Sequence, residues 1–191
     1  MIRAFVGLPV PEDVCRTLEG AQVGLKIGKL VPPENFHLTL AFLGEHPETL
    51  IEDVHDGLSA IRAAAVGVEA FGLGMFGDAP PRAIFADVTP VDELKVLRKK
   101  VRQAAREYGI ALHAQRFHPH ITLARFNRGL TPDDAAEVGA FVARNSPRAK
   151  VAFRAESFCL YRSFLGGEGP IYEVLAEYPL SASVVSSTVG G

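Results

Sequence analysis

The sequence predicts an α+β fold of two related lobes that face each other across a cleft, and three observations carry that prediction. A tetrapeptide is written twice, as His37-Leu38-Thr39-Leu40 and as His120-Ile121-Thr122-Leu123, with the two histidines 83 residues apart. Each copy lies in an apolar run rich in strand formers, Phe36 to Leu43 and Phe117 to Phe126. Strand-like and helix-like stretches follow one another as βαβαββ and then αβαββ, so each motif strand lies between two helices. Outside the motifs the two halves share negligible identity, and the lobes are inferred from order and spacing.

The elements follow in chain order. Arg3 to Leu8 reads as a first strand, closed by Pro9 and Pro11. Val14, Leu18, Ala21 and Leu25 then mark one face of a helix from Pro11 to Lys26, with Pro11 suited to its first turn. Pro32-Pro33-Glu34-Asn35 is a turn into the first motif strand, which Gly44 to Pro47 should end. Leu50, Val54, Leu58 and Ile61 give a second helix over Glu48 to Ala65. Strands are expected at Gly67 to Phe76 and Arg82 to Val88, joined by the turn-rich Gly77-Asp78-Ala79-Pro80-Pro81. Asp92 to Tyr108 is the clearest helix, with Gly109 in the C-cap place. A short Ile110 to His113 segment leads to the second motif strand. Thr131 and Pro132 open a fourth helix as N-cap and first residue. Strands at Val151 to Tyr161 and Ile171 to Leu180 close the fold, leaving Ser181 to Gly191 as a small, polar tail expected to be flexible.

Composition narrows the function classes. The chain has 191 residues, 48% hydrophobic and 22% charged, which suits one soluble domain. A formal charge of −2 supplies no global basic field for non-specific duplex binding, so any nucleic acid contact must be local. Cys15 and Cys159 form no CxxC pair, and Met1-Ile2-Arg3 runs straight into a strand-like segment with no signal peptide. A reduced, cytoplasmic protein is expected, and no apolar stretch reaches the length of a membrane span.

Side chains alternate along a strand. His37 and Thr39 therefore share one face, with Leu38, Leu40 and Phe42 on the other; His120 and Thr122 share a face opposite Ile121 and Leu123. A single strand histidine is ordinarily structural. Duplication with a same-face threonine reverses that expectation for His37 and His120, and outlines a two-histidine acid–base site. An unperturbed imidazole titrates near pH ~6.5, so one ring can be neutral and its partner protonated close to neutrality.

The motifs and their flanks, Phe36-His37-Leu38-Thr39-Leu40-Ala41-Phe42-Leu43-Gly44 and Phe117-His118-Pro119-His120-Ile121-Thr122-Leu123-Ala124-Arg125, together with Arg3 to Pro9, resemble the 2H phosphoesterase superfamily. The branch most similar is that of the RNA 2′,3′-cyclic phosphodiesterases, also called 2′-5′ RNA ligase-like proteins. The resemblance covers nearly the whole chain. It implies a bilobal fold over residues 1–180, with pseudo-symmetric antiparallel sheets facing a central cleft, helices outside and one motif per lobe. It also implies hydrolysis of 2′,3′-cyclic phosphate ends of RNA or small nucleotides to 2′-phosphomonoesters, without metal or other cofactor, and with reversible 2′-5′ ligation as a linked reaction. By position His37 and His120 are catalytic, and Thr39, Thr122 and Arg125 bind substrate phosphate. A monomer is expected.

Arg125 shares parity with Ile121 and Leu123, so a twist or bulge must redirect it if it serves the site. His118 has the parity of His120 and could border the groove. Phe42, Phe117 and Phe126 could stack a base, though strand aromatics are more often core. His46, His55 and His113 read as surface or packing residues. A zinc site of His37, His118 and His120 is disfavoured, because neither motif holds an Asp, Glu or Cys and His-x-Thr is not a ligand spacing. The basic run Arg98-Lys99-Lys100-Val101-Arg102 reads as a solvated helix face before an RNA contact. A second function class, a nucleotide-binding module without catalysis, is disfavoured by two intact titratable groups.

Overall fold

The period-two runs are realised as one antiparallel sheet, and the period-3.6 runs as helices laid against one of its faces. The computed structural model describes residues 1–77, 80–114, 116–126, 130–166 and 169–181. Its strands are β1 (Ile2–Pro9), β2 (Lys29–Leu30), β3 (His37–His46), β4 (Val66–Phe76), β5 (Ala83–Val88), β6 (His120–Arg125), β7 (Lys150–Ala155), β8 (Ser157–Gly166) and β9 (Gly169–Pro179). The helices are α1 (Glu12–Gln22), α2 (Glu48–Ser59), α3 (Asp92–Glu107) and α4 (Pro132–Asn145). Strand order is β7-β4-β5-β6-β3-β1-β8-β9, with the short β2 added to β6.

The sheet is two four-stranded halves joined at a seam. β3 and β6, the motif strands, are the inner pair, and the seam has one registered Cα pair, Leu38 opposite Ile121. The lobes are not the two halves of the sequence. β4 and β5 precede the second motif yet build its lobe, while β8 and β9 return from the C-terminal end to complete the first.

The core fills the space between sheet and helices. Leu38, Leu40, Ile121 and Leu123 pack with Val14 and Leu18 of α1, Ile51, Val54 and Leu58 of α2, and Leu94, Leu97 and Val101 of α3. A smaller cluster seats Val138 and Phe141 of α4 against Ile84, Ala124 and Phe126. Thr131 caps α4 through a reciprocal box with Asp134, as its sequence position anticipates. Gly109, at φ +90°, follows α3 where a C-cap was expected. Among the described residues no helix is long and apolar enough to cross a membrane. Both cysteines are free and buried.

Several boundaries differ from the sequence reading, each for a physical reason. α1 ends at Gln22, because Gly24 takes a left-handed conformation. α2 stops at Ser59, since the chain beyond it pairs with the C-terminal strand end: Ala65 donates its N–H to Ser181 and Ser181 donates to Ala63. β3 runs through Gly44 to His46, with Gly44 beside an irregularity against β1 rather than at a strand end. The expected strand from Val151 to Tyr161 is two strands. β7 pairs with β4 and β8 with β1, so the chain crosses from one lobe to the other at Glu156 without a glycine or proline to announce it. Asp78, Ala79 and the tail beyond Ser181 lie outside the described residues.

Candidate active site

Leu38 and Ile121, both fully buried, point from the seam into the helical layer. Alternation puts His37, Thr39, His120 and Thr122 on the opposite face. Continued one residue each way, the antiparallel register sets His37 across from Thr122 and Thr39 across from His120. The two histidines are then diagonal neighbours across the seam, a placement from which long or aromatic side chains can reach a common point. All four side chains are half-buried.

Each imidazole is held in the same way. His37 donates Nδ1–H to the carbonyl of Asn35 at 2.7 Å, and His120 donates Nδ1–H to the carbonyl of His118 at 2.8 Å. A carbonyl only accepts, so in both rings Nε2 is the nitrogen left for chemistry. The supporting residues are fixed in turn. Asn35 donates its amide to the Pro170 carbonyl at 2.8 Å, and His118 donates Nε2–H to Asp87 Oδ1 at 2.8 Å.

Aromatic rings close round both. The centre of the His37 ring lies 4.6 Å from that of Phe5 and 5.1 Å from that of Tyr172, the latter at right angles to it. His120 lies 4.7 Å from Phe76 and 5.3 Å from Phe85. Burial among these rings disfavours a charged imidazole. His37 is held down to about 4, chiefly by desolvation, which outweighs its bond to the Asn35 carbonyl, with Arg125 and His120 adding like-charge repulsion. His120 is also lowered by burial; its bond to His118 opposes this, the charges of His118 and Arg125 add to it, and Asp87 opposes it. The same Arg125 thus acts on both rings from across one shared space.

Two bulges decide what lies beyond the threonines. The β5–β6 register slips between Ile84 and Phe85, leaving Leu123 extra on β6. Leu123 and Ala124 are both buried, and Arg125 emerges on the histidine face. The bulge that the parity of Arg125 required is present. The β1–β3 register slips in the matching place, between Val6 and Gly7, so Leu40 and Ala41 are both buried. Phe42 therefore leaves the core face assigned to it by strict alternation and stands 64% exposed, 6.2 Å from the Phe5 ring. Phe126 is buried, and Phe117 lies half-buried with the Arg98 guanidinium 4.4 Å above its ring.

The sequence profile of the 2′-5′ RNA ligase superfamily matches residues 10–165. The chain belongs to that superfamily. Among superfamily relatives named RNA 2′,3′-cyclic phosphodiesterase, the protein of Aeropyrum pernix is 32% identical over 81% of this chain and 88% of its own. That of Bacillus subtilis is 30% identical over 93% and 96%. The relative from Geobacillus stearothermophilus is longer: 92% of this chain aligns at 30% identity with 56% of that protein. A solved structure from Thermus thermophilus superposes with a TM-score of 0.76 at 31% identity, covering 95% of this chain and all of the other. The apo structure of Escherichia coli LigT shares the fold at 21% identity, with a TM-score of 0.73 over 94% and 98% of the two chains.

In this superfamily member, residues outside the motifs position the site, and sequence reading passed over most of them. Gln22, buried on α1, donates its amide to the carbonyls of Val31 and Leu123, both at 2.8 Å, and Val31 N–H donates to the same Leu123 carbonyl. The bulge residue that turns Arg125 is thereby pinned from the helical side. Asn35 and Asp87 were likewise missed; the signal for Asn35 was its place two residues before a motif histidine, matching His118. A cavity of about 560 Å³ opens beside Arg125, bounded by β2, the Pro32–Asn35 turn and the start of β9. Among the described residues no group of three or more His, Cys, Asp or Glu side chains is gathered to hold a metal ion. His118 Nε2 is engaged by Asp87, and its ring centre lies 6.4 Å from that of His120.

Proposed function

We propose that this protein hydrolyses 2′,3′-cyclic phosphate termini of RNA or small nucleotides to 2′-phosphomonoesters through His37 and His120, with no metal in the reaction. The observation that carries this is the matched pair of imidazoles, each tied at Nδ1 to a main-chain carbonyl and each offering Nε2 on one face. Relatives named RNA 2′,3′-cyclic phosphodiesterase at about this identity support the same reading.

A cyclic phosphate seated across the seam meets an imidazole on either side. One neutral ring takes a proton from water as the water oxygen bonds to phosphorus. The other, protonated, gives its proton to the ribose 3′-oxygen as the P–O3′ bond breaks, leaving a 2′-phosphate and a 3′-hydroxyl. Both rings favour the neutral form in the free protein, so the acid must be made when substrate arrives. The phosphate's negative charge, placed beside the rings, raises their proton affinity. The Thr39 and Thr122 hydroxyls donate to the non-bridging oxygens, and Arg125 adds a forked, permanently charged donor. With the 5′-hydroxyl of a second RNA end in place of water, the same steps join the ends through a 2′-5′ bond. We assign this activity to a cytoplasmic monomer acting through one domain, residues 1–180.

The test is turnover of adenosine 2′,3′-cyclic phosphate by purified protein, with and without EDTA, the product read by phosphorus NMR. Adenosine 2′-phosphate in both conditions is expected. A 3′-phosphate product, or activity lost to chelator, would overturn the reading. Binding without turnover, retained when both histidines are alanine, would instead identify a nucleotide-binding module.

A further inference from the structure

The cavity beside Arg125 is larger than a phosphate needs and is lined in two ways. At one side stand Lys29 and Arg125, registered opposite each other on antiparallel β2 and β6. Directly opposed residues project to the same face with Cβ atoms roughly 4.5–5.5 Å apart, so the two cations stand side by side. The remaining wall is mostly apolar, with Leu30 at 43% and Ile171 at 59% exposure, next to the Tyr172 ring that packs on His37. Glu34 is the acid in the lining.

The position of β2 is built into the chain rather than incidental. Gly28, just before it, has φ +89°, and a Cβ there would come within 2.4 Å of the Phe126 ring and 2.9 Å of the Arg125 carbonyl. Only glycine lets the chain approach β6 this closely. Gln22 and Val31 then fasten the far end of the segment. Lys29 is so held beside Arg125 with no acidic register partner. Like charges set directly opposite each other repel. An anion between them removes that cost.

We propose that this cavity receives the nucleotide on the 5′ side of the cyclised one, with Lys29 binding the phosphodiester that joins them. The inference rests on the function proposed above and adds its substrate class: RNA ends of two or more nucleotides are preferred over free cyclic mononucleotides. Arg125 serves the terminal phosphate and Lys29 the next one along the strand. Leu30, Ile171 and Tyr172 give the preceding base an apolar wall that stacks without reading hydrogen-bond edges, so base identity at that position matters little.

The experiment compares a dinucleotide ending in a 2′,3′-cyclic phosphate with the corresponding cyclic mononucleotide, in wild type, Lys29→Gln and Lys29→Arg. Wild type should favour the dinucleotide in kcat/KM. Lys29→Gln should cut that preference by roughly tenfold, the scale of a hydrogen bond to a charged group, while Lys29→Arg keeps most of it. A methylphosphonate at the internal linkage should erase the preference in wild type and leave nothing for Lys29→Gln to remove. A preference unchanged in Lys29→Gln overturns the proposal, as does one that methylphosphonate does not touch. If wild type turns over neither substrate, the proposed hydrolysis itself fails. The same comparison is then read in binding, with 2′-phosphorylated dinucleotide and mononucleotide, and the Lys29→Gln effect on that affinity ratio still decides this proposal.

Discussion

His37 and His120 share a tether and differ in what steadies it. Each donates Nδ1–H to the carbonyl two residues upstream, and each sits among aromatic rings. In the first lobe the upstream residue is Asn35, whose amide is tied to a main-chain carbonyl of β9. In the second it is His118, tied to the carboxylate of Asp87. The lobes also differ at the sixth strand residue, where the same bulge brings Phe42 out in one and Arg125 in the other. Geometry is duplicated and electrostatics are not. The fold therefore offers two like-placed imidazoles, of which His120 has the carboxylate support that favours protonation, and it sets a permanent positive charge beside them from one side only.

The largest test of this comparison is to remove each ring in turn. General acid–base catalysis contributes typically 10²–10⁴-fold, so His37→Ala and His120→Ala should each lower kcat by about that factor with the fold intact by circular dichroism. Because the rings act as a unit, the double variant should lose far less than the product of the two single losses. A double loss equal to the product would mean that they work independently. The second test contrasts the sixth residues. Arg125→Ala should lower kcat/KM by roughly 10²–10³-fold, the scale of one lost transition-state donor. Phe42→Ala, lacking any charge to contribute, should fall well short of that.

A third consequence is an acid-sensitive fold. The folded-state value of His37 lies at about 4, below the ordinary value of 6.5, so folding favours its neutral form. That stabilisation is complete above pH 6.5 and is lost as pH falls toward 4, amounting to about 3 kcal/mol across the window. Urea unfolding at a series of pH values should show the decline, and His37→Ala should flatten it. Fourth, Gln22→Leu deletes both amide bonds at the β6 bulge and leaves the Val31 carbonyl short of its buried partner. A loss of about 1–3 kcal/mol in stability is expected. Activity in the surviving fold should drop as well if the bulge is what aims Arg125, and Arg125→Ala should then cost less in that background than in wild type.

The motifs were legible because alternation and duplication speak together: His37, Thr39, His120 and Thr122 fall on one face by parity alone. Parity failed three residues after each threonine, at Phe42 and Arg125. A bulge is a property of two strands in register, and neither strand's own sequence states it. The helices were visible from their apolar spacing, but their ends were set by contacts distant in sequence, as when Ser181 pairs with the chain beyond α2. The split of the Val151 to Tyr161 run was hidden for the same reason, since its two parts join opposite halves of the sheet, β7 on β4 and β8 between β1 and β9. Gln22 and Asp87 carry no local signal; only the folded chain brings them to the strand and the ring they support.

The smallest effect bears most directly on the difference between the lobes. Asp87 is registered opposite His120 and accepts from His118, so it could act as a charge or merely as a prop. Asp87→Asn separates the two roles, because an amide oxygen still accepts the His118 Nε2–H while the negative charge is gone. The carboxylate raises the proton affinity of His120 against the lowering caused by burial. Its removal must then move the His120 titration to lower pH, because a neighbouring negative charge favours the protonated ring. His37 has no such carboxylate among its influences, and its own low titration should stay where it is. Imidazole resonances followed by NMR across the acid range read both rings in one sample. A His120 titration unmoved by Asp87→Asn would reduce Asp87 to a prop, and the electrostatic distinction between the lobes would then rest on Arg125 alone.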